Sequence, residues 1–388
     1  MLDGLSYGGT ETWLLEIVKR NAGNIQMDFL LTGGVVCELD SEFEKCGCNL
    51  FYLHYRSRHF FQFALRFRNL IKNGQYDAVH NHEDFVAGWH WLFLLGKLPA
   101  KRFSHAHNSL IYVNNYLKNK VRYLFYYGGR ILNGLLATHI TGTSDMLLNE
   151  LGYVGPFYNR IRTEPLYCGT NPDKFRFSSN RRNNLREQLG IINNQKVILF
   201  VGRIGLNREN EINHKNPELA FEIACNYVRR VKSAKFIFLG EKGILGNQFQ
   251  AKVEKEGLSE NIYFLGKVAN ACDYYSLADL LLFTSIKEPF GLVLIEAQYS
   301  GIPILATDII TKELIEFPHL FNFMDVNNQN IKDWEVRIDD LLHLNHEREY
   351  FDENNKIKIS NSRFSVDASY LRLANHYTFP NMSLDQAK

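Results

Sequence analysis

The sequence predicts an α/β protein made of two tandem, doubly wound, Rossmann-like domains that face each other across a cleft. The 388 residues contain two series of short apolar segments, each ending in a small or polar residue. In both series these segments alternate with segments whose apolar residues recur at helical spacing. This alternation is typical of a parallel sheet covered by helices on both faces. A polar stretch, residues 175–186, separates the two series and is interpreted as a linker. We therefore predict one domain over residues 1–177 and a second over residues 178–360.

The first series contains five predicted strands, and three of them run into His, Asn, Thr or Ser at their carboxyl ends. The strands cover residues 27–32, 49–53, 76–82, 102–108 and 138–144. Ser144 is suited to cap the helix that follows. Ligands of open α/β sheets bind beyond the carboxyl ends of the strands, so we expect a site at this edge.

The second series contains five further predicted strands, each of four to seven apolar residues. They cover residues 196–202, 235–240, 261–266, 280–284 and 302–306. Apolar residues at helical spacing over residues 364–377 predict one last helix, and residues 380–388 are interpreted as a tail.

Composition excludes a disordered chain, because 45% of the residues are apolar, as in globular proteins. The net charge of +2 gives no indication of a nucleic-acid partner. The sequence shows neither an apolar run of membrane-spanning length nor a secretory leader, so we expect a cytoplasmic protein with reduced cysteines. Cys37, Cys46 and Cys48 lack the paired C-x-x-C spacing of a zinc site.

Two stretches, residues 56–68 and 118–130, interleave cations with aromatic residues. Phe60, Phe63 and Phe67 recur at helical spacing, which is typical of a buried helix face with Arg66 and Arg68 in solvent. The alternative is a peripheral contact with anionic lipid headgroups at the inner face of the plasma membrane. Both interpretations stay open at this point.

The strongest functional signal lies after the predicted strand 280–284. Glu288 precedes a tight turn, Pro289-Phe290-Gly291, and a predicted helix begins at Leu292. Such a helix start offers unpaired N–H groups to a diphosphate. Glu296, within the helix, can accept hydrogen bonds from the vicinal hydroxyls of a ribose.

This segment, with Gly301-Ile302-Pro303 after it, resembles the Glu-x7-Glu signature of the retaining GT-B glycosyltransferases of family 4. Within that family, the residues of this segment resemble the branch that builds bacterial capsular polysaccharides and exopolysaccharides. The resemblance covers nearly the whole chain. It rests on further elements as well: Gly8-Gly9-Thr10-Glu11, His105-Ala106-His107-Asn108, Tyr167-Cys168-Gly169-Thr170-Asn171, and Val201-Gly202-Arg203 with Lys215.

The resemblance implies a retaining, hexosyltransferase-type transfer from a nucleotide sugar, a UDP-sugar by expectation, to a hydroxyl of a glycan or lipid-linked saccharide. The leaving phosphate would help to deprotonate the acceptor, so no enzymic nucleophile is required. The nucleotide sugar is then a co-substrate, and neither a metal nor another cofactor is expected. The resemblance also implies that the last helix, within residues 361–379, crosses back to the first domain.

Residue roles follow from the same resemblance. Catalytic roles fall to His107, Glu288, Arg203 and Lys215, with His107 beside the anomeric carbon and the acceptor. The donor-binding residues are expected to be Gly8, Gly9, Arg203, Lys215, Glu288, Pro289, Phe290, Gly291, Leu292 and Glu296. The acceptor side is expected to include His80, His82, His105 and Asn108.

Two assignments stay open. Lys215 lies farther from Arg203 than is usual in the family, across an inserted loop, and Arg208 competes for its place in the diphosphate clamp. The four strand-end histidines could instead bind a metal ion, although the cationic clamp makes one unnecessary.

Two other functions compete with sugar transfer. One is a catalytically silent protein that binds a nucleotide sugar or takes part in an assembly. The other is a different GT-B enzyme, such as a sugar-nucleotide epimerase, which the Glu-x7-Glu and Gly-Arg elements disfavour.

The start of the chain is unusual for this fold. A buried central strand is expected before the Gly8-Gly9 turn, but only residues 1–6 are available and Asp3-Gly4 is poor strand material. We interpret this as an N-terminal truncation or a misplaced start codon. The first sheet should then lack or badly shorten its central strand, the second domain should be complete, and folding or activity could suffer.

Overall fold

A computed structural model describes residues 1–21, 23–56, 59–117, 119–205, 212–344 and 348–378. Arg208 and the predicted tail, 380–388, lie outside these ranges. The chain divides into two compact units, one formed by Met1–Thr170 with the segment from Arg363 onward, the other by Asn171–Ser362. The sequence placed these divisions after residues 177 and 360.

The first unit contains parallel strands and the helices that cover them. The strands are β1 (Asp28–Leu31), β2 (Asn49–Tyr52), β3 (Ala78–Asn81), β4 (Lys101–Ala106), β5 (His139–Gly142) and β6 (Arg162–Pro165). The helices are α1 (Gly9–Arg20), α2 (Asp40–Lys45), α3 (Phe60–Gly74), α4 (Val86–Phe93), α5 (Leu110–Tyr116), α6 (Lys120–Leu136) and α7 (Asp145–Glu150). The five predicted strands of this domain are thereby confirmed, and Ser144 caps α7 by accepting a hydrogen bond from the N–H of Leu147.

The sheet of the first unit is interrupted between β1 and β3. Strands β1 and β2 form one pair, while β3, β4, β5 and β6 form a separate four-stranded sheet. Met1 and Leu2 lie at the seam, where Leu2 forms an isolated parallel bridge with Leu31. The prediction of a badly shortened central strand is confirmed.

The second unit holds one six-stranded parallel sheet in the order β12-β11-β10-β7-β8-β9. The strands are β7 (Val197–Val201), β8 (Lys235–Leu239), β9 (Ile262–Gly266), β10 (Leu280–Phe283), β11 (Ile304–Thr307) and β12 (Phe321–Met324). The helices are α8 (Pro172–Phe175), α9 (Ser179–Gln188), α10 (Pro217–Arg230), α11 (Gly243–Lys255), α12 (Ala271–Leu277), α13 (Leu292–Tyr299), α14 (Ile331–His343) and α15 (Arg348–Ser360). All residues of β8, β10 and β11 are buried, which explains their continuous apolar runs.

Sequence analysis missed the strands β6 and β12. Both are edge strands, because β6 pairs only with β5 and β12 pairs only with β11. An edge strand is covered less completely than a central one, so its sequence need not be continuously apolar. Arg-Thr-Glu-Pro in β6 illustrates this point.

The predicted linker at residues 175–186 is wrong, because most of it belongs to helix α9. The side chain of Ser178 caps this helix by accepting a hydrogen bond from the N–H of Arg181. Arg182 anchors the helix through an ion pair with Asp279, 2.7 Å from nitrogen to oxygen. Long polar side chains therefore hold α9 in place. A helix attached in this way lacks the periodic apolar residues by which the sequence would have predicted it.

The last helix, α16 (Val366–Tyr377), belongs to the first unit and packs against α1. The indole N–H of Trp13 donates a hydrogen bond to the hydroxyl of Ser369 at 2.8 Å. Arg20 forms an ion pair with Asp367 at 2.6 Å. Helices α1 and α16 are therefore held together within the first unit.

The two stretches rich in cations and aromatic residues differ in structure. In α3, Phe63 and Phe67 are buried as the helical spacing predicted, while Arg68 donates to the carbonyls of Phe93 and Leu95 instead of lying free in solvent. In α6 a row of apolar side chains is exposed: Val121, Leu124, Ile131 and Leu135. Among the described residues, no helix is both long and apolar enough to cross a membrane.

Candidate functional site

The predicted donor-binding residues of the second unit gather at the carboxyl ends of β7 and β10. The ammonium group of Lys215 forms an ion pair with the buried carboxylate of Glu288. The aliphatic part of Lys215 lies over Gly202, where a Cβ would come within 3.3 Å of its Cγ. The Lys215–Glu288 pair is therefore a preformed charged centre at this sheet edge.

Asn213, which sequence reasoning missed, positions Lys215. The Asn213 amide donates to the carbonyls of Arg203 and Ile204 at 3.0 Å each, and its oxygen accepts from the N–H of Lys215. The hydroxyl of Thr284 donates to the carbonyl of Lys215 at 3.1 Å. These bonds hold the loop against the ends of β7 and β10.

The guanidinium of Arg203 is placed differently from Lys215. Arg203 lies two residues after the end of β7 and is exposed, so its planar guanidinium is accessible to phosphate oxygens. The competing residue, Arg208, lies outside the described residues. Lys215 is thus the cation that the structure joins to Glu288.

The turn before α13 requires a glycine. Gly291 caps α13 with a backbone φ of 96°, which side chains disfavour, and a Cβ there would approach the Cγ of Glu288 to 3.1 Å. Phe290 is buried, while Pro289 and Leu292 are partly exposed. Helix α13, with the N–H groups of its first turn, therefore begins four residues after Glu288.

Glu296 lies in a mostly buried setting beside Tyr275 of α12. The phenolic hydroxyl of Tyr275 donates a hydrogen bond to the Glu296 carboxylate at 2.6 Å. Burial raises the pKa of Glu296 to about 7, although the bond from Tyr275 and the positive charges of Lys174 and Lys215 act in the opposite direction. Tyr275 is a second residue that the sequence did not single out.

In the first unit, four histidines cluster at the ends of β3 and β4. The Nε2 atom of His80 lies 3.2 Å from Nδ1 of His105, and Nδ1 of His82 lies 3.0 Å from Nε2 of His107. The rings of His80 and His82 stack with centroids 4.2 Å apart. The predicted acceptor-side histidines are therefore brought together with His107.

Burial keeps these imidazoles neutral. It lowers the pKa of His107 to about 3, and it lowers the pKa values of His80, His82 and His105 well below the ordinary value. A neutral imidazole offers one N–H donor and one acceptor nitrogen. At pH 7 the cluster can thus exchange hydrogen bonds with sugar hydroxyls without carrying charge.

Asp84 fixes the strand-end loop that carries His107. One carboxylate oxygen accepts from the backbone N–H of His107 at 2.6 Å, and the other accepts from the Asn108 amide at 2.6 Å. Asp84 itself has a positive φ of 49°. Its position two residues after the strand-end His82 was the available signal, but carboxylates at such positions are common.

The Gly8-Gly9 turn reaches the same cluster through Thr10. The hydroxyl of Thr10 lies 3.1 Å from Nδ1 of His107. A Cβ on Gly8 would collide with the carboxylate of Glu11. The glycine therefore leaves room for the Glu11 side chain at the start of α1, and Gly9 begins the helix.

The same cluster has the composition of a metal site. Nitrogen atoms of His80, His82 and His105 all lie within 4.8 Å of one another. Imidazoles suit zinc, copper, iron and nickel ions. The metal-free chemistry expected from the sequence stays a prediction.

Comparisons with known proteins identify the family of this chain. The chain matches the family model "Glycosyltransferase Family 4" over residues 7–174 and "Glycosyl transferases group 1" over residues 181–358. This chain is a family 4 glycosyltransferase. The predicted family is confirmed.

The glycosyltransferase is similar to two bacterial proteins over most of its length. EpsF of Bacillus subtilis (strain 168), named as a glycosyltransferase, is 25% identical over 81% of this chain and 79% of its own length. CapH of Staphylococcus aureus, named as a capsular polysaccharide biosynthesis glycosyltransferase, is 24% identical over 79% of each chain.

Solved structures confirm the GT-B fold of this glycosyltransferase. Anabaena HepE in complex with UDP-glucose superposes with a TM-score of 0.76 and 17% identity, covering 96% of this chain and 97% of that chain. WaaG, a glycosyltransferase involved in lipopolysaccharide biosynthesis, gives a TM-score of 0.71 and 16% identity, covering 97% of this chain and 99% of that chain.

Proposed function

We propose that this glycosyltransferase transfers a hexose, with retention of anomeric configuration, from a UDP-sugar to a hydroxyl of a glycan or lipid-linked saccharide in polysaccharide biosynthesis. The observation that carries the proposal is the group formed by Lys215, Glu288 and Glu296 around the start of α13. It combines a cation, a helix N-terminus and two carboxylates at the carboxyl edge of a parallel sheet, where nucleotides bind in open α/β folds.

The choice of nucleotide and pathway is supported by similar proteins. HepE, which shares the fold, has been crystallised with UDP and with UDP-glucose. CapH is named for capsular polysaccharide biosynthesis. We extend a UDP-linked donor and a polysaccharide acceptor from these proteins to this chain.

The residues of the second unit fit a departing diphosphate. In the proposed reaction the bond from the anomeric carbon to the phosphate oxygen breaks while the acceptor oxygen bonds on the same face. The acceptor proton passes to the leaving phosphate. Lys215 and Arg203 stabilise the negative charge that develops there, and Glu296 accepts hydrogen bonds from the ribose hydroxyls. Two cations supply the charge that a divalent metal would otherwise provide.

The residues of the first unit fit the sugar and acceptor. Neutral His107, held by Thr10 and Asp84, offers hydrogen bonds in a fixed orientation. His80, His82, His105 and Asn108 surround it and would meet hydroxyl groups of the acceptor.

We further propose that the enzyme works at the cytoplasmic face of the plasma membrane, with α6 against anionic lipid. Val121 and Leu124 of α6 are 74% and 73% exposed. Residues 85–144 contain no Asp or Glu but seven Lys and Arg residues. An apolar helix face in a cationic region fits an anionic, apolar interface.

A screen of nucleotide sugars for thermal stabilisation, followed by product analysis, tests the function. UDP-sugars should stabilise the protein, and NMR of the product should show the anomeric configuration of the donor. Stabilisation without any transfer would instead identify a silent nucleotide-sugar binder. Treatment with EDTA should leave turnover unchanged, whereas loss of turnover with rescue by Zn²⁺ would assign a metal to the histidine cluster.

Glu296→Ala tests the assigned site. Because a hydrogen bond to a charged group contributes about 1.5–3 kcal/mol, losing two should lower kcat/KM by about 100-fold or more. Glu222→Ala, at an exposed position of α10, is the matched control and should behave like the parent. Unchanged turnover in Glu296→Ala would refute the assignment.

A further inference from the structure

Three imidazoles of the first unit, those of His80, His82 and His105, converge at the carboxyl edge of its four-stranded sheet. Strand register brings them together: Asn81 of β3 pairs with Ser104 of β4, so the next residues, His82 and His105, fall opposite each other. His80 lies two residues before His82 and therefore faces the same side of the sheet. One nitrogen atom from each ring lies within 4.8 Å of those from the other two. The two strands thus hold three possible metal-ligand atoms around one point.

The spacing of two of these nitrogens matches a tetrahedral ion. Zn²⁺ binds imidazole nitrogen at about 2.0–2.1 Å, which sets neighbouring ligand atoms of a tetrahedron about 3.3 Å apart. Nε2 of His80 and Nδ1 of His105 are separated by 3.2 Å. Two neutral imidazoles at this distance share one proton in a hydrogen bond. An ion takes both lone pairs once that proton moves to the outer nitrogen of its own ring, and a small rotation of His82 brings in the third nitrogen.

Aromatic neighbours hold the three rings in these orientations. The indole of Trp13 meets the rings of His82 and His105 edge-on, with centroids 5.9 Å and 5.8 Å away. Trp13 is itself buried, so its position is fixed by packing. The ring of Phe103 stacks on His80 with centroids 5.2 Å apart. An ion therefore meets side chains that are already ordered, which lowers the entropic cost of binding.

The second nitrogens of His80 and His82 have hydrogen-bond partners outside this group of three. Nδ1 of His80 forms a hydrogen bond with the phenolic hydroxyl of Tyr377 in α16. Nδ1 of His82 lies 3.0 Å from Nε2 of His107. A histidine that binds a metal generally uses its other nitrogen in such a bond, which fixes the tautomer and the ring orientation. These two histidines are therefore oriented as ligands before an ion binds.

The chemistry of the donor atoms selects the ion. Burial lowers the pKa values of all three imidazoles well below the ordinary value, so protons do not compete for their lone pairs at pH 7. Imidazole nitrogen suits Zn²⁺, whereas Mg²⁺ and Ca²⁺ prefer oxygen ligands. Three histidines with water in the fourth position is an established zinc arrangement. His80 and His82 retain some contact with solvent, which gives an ion access to the site.

We propose that His80, His82 and His105 bind one Zn²⁺ ion, and that the bound ion inhibits sugar transfer. The same histidines are proposed to exchange hydrogen bonds with the acceptor, and a nitrogen that coordinates zinc cannot accept such a bond. The ion also places two positive charges near His107. Zinc binding follows from the geometry of the first unit alone, whereas inhibition rests on the proposed function.

Calorimetry with ZnCl2, on the full chain after treatment with EDTA and dialysis, tests the binding. We expect one Zn²⁺ per chain and no measurable binding of Mg²⁺. His82→Gln removes one ligand nitrogen and should weaken zinc binding by at least about tenfold, the loss that even an outer hydrogen-bond partner causes. His343→Gln, at an exposed position of α14, is the matched control and should bind zinc like the parent. Equal zinc affinity in the three proteins, or no binding to the parent, would overturn the proposal.

Two further measurements make the test independent of how well His82→Gln folds. Co²⁺ bound to the parent should show the visible absorption of a tetrahedral site, whereas the charge-transfer band of a thiolate would place the ion on a cysteine and overturn the assignment. Tyr377→Phe keeps all three ligands but removes the partner of His80, so it should weaken zinc binding by about tenfold. Unchanged zinc affinity in Tyr377→Phe would contradict the orientation of His80 on which the site depends.

The transfer assay tests the inhibition. Zn²⁺ that saturates the parent should lower kcat/KM for the acceptor by at least about tenfold, and EDTA should restore it. In Tyr377→Phe the same inhibition should require about tenfold more Zn²⁺. Unchanged or increased turnover in the zinc-loaded parent would overturn the inhibitory role. If no nucleotide sugar is turned over at all, the proposed function fails while calorimetry still decides the zinc site.

Discussion

Buried titratable side chains surround the candidate site residues of both units. Burial raises the pKa of Asp84 to about 6 and that of Glu296 to about 7, and it lowers the pKa of His107 to about 3. The carboxyl groups thus take up protons more readily than in water, while the imidazoles release them. In this protein, residue identity alone does not indicate charge, because depth in the fold sets the protonation state.

Glu83, next to Asp84, makes this effect testable as a pH dependence of stability. Burial raises the pKa of Glu83 to about 7, opposed by a hydrogen bond from the hydroxyl of Thr32. Between the ordinary value of 4.5 and about 7 the native state binds more protons than the unfolded state, so this carboxyl lowers stability as pH rises through that window. When Glu83 is fully ionised, its burial lowers the free energy of unfolding by about 3 kcal/mol.

Glu83→Gln keeps an acceptor for Thr32 but removes the ionisation. The variant should therefore be more stable than the parent at pH 8 by about 1–3 kcal/mol, with little or no gain at pH 4.5, as measured by urea unfolding at both values. Glu222→Gln, on the surface of α10, should show no such difference between the two pH values. A gain of equal size at pH 4.5 would contradict the assigned ionisation.

At the scale of single elements, the start of α13 depends on one backbone conformation. Gly291→Ala should destabilise the protein by about 1–3 kcal/mol, because it adds left-handed strain and pushes a Cβ towards Glu288. Binding of a UDP-sugar should weaken as well, since Glu288 and the helix start move together. Calorimetry of binding and thermal unfolding measure the two effects.

Gly257 supplies the control for that experiment. It has a φ of 68° with open space around its Cβ position, so Gly257→Ala adds backbone strain alone. This variant should lose about 1 kcal/mol of stability and bind nucleotide sugar like the parent. Equal weakening of binding in both variants would show that the effect at Gly291 is not local.

A second element-scale prediction concerns the exposed face of α6. Leu124→Asp should reduce co-sedimentation with vesicles that contain anionic phospholipid, because it places negative charge on an apolar face that is 73% exposed there. Ile357→Asp changes an equally exposed apolar residue, in α15, and should leave vesicle binding unchanged. Loss of binding in both variants, or in neither, would refute the assignment of α6 to the membrane.

At the scale of the whole molecule, the chain leaves the first unit after Gly169–Thr170, and the segment that returns from Arg363 lies beside these two residues. Thr170 donates to the carbonyl of Phe364 and accepts from the N–H of Val366, both at 2.9 Å. A Cβ on Gly169 would approach the carbonyl oxygen of Ser365 to 2.5 Å. The absence of a side chain therefore lets the C-terminal segment lie against the first unit.

Gly169→Ala should consequently lower the free energy of unfolding by about 1–3 kcal/mol, through steric displacement of the segment that leads into α16. Gly190→Ala, with a φ of 64° and open space, provides a comparison that adds only backbone strain. A loss at Gly169 no larger than at Gly190 would show that this close approach does not matter for stability. Urea unfolding of both variants measures the difference.

The sequence by itself determined the fold class, ten of the twelve strands in the described residues, the family and the order of the site motifs. These features reside in local patterns: apolar runs closed by polar residues, a helix start after a turn, and a fixed Glu-x7-Glu spacing. Each can be recognised without knowledge of what packs against it.

Only the tertiary structure decided which side chains meet. The pairs of Tyr275 with Glu296, Asp84 with His107 and Lys215 with Glu288 join residues from different parts of the chain, and the sequence of one part does not show which residue of another will contact it. The same reason explains α9, whose arginines bind groups elsewhere in the chain. It also explains the interruption in the sheet of the first unit, because the gap between β1 and β3 exists only once both strands have been placed in space.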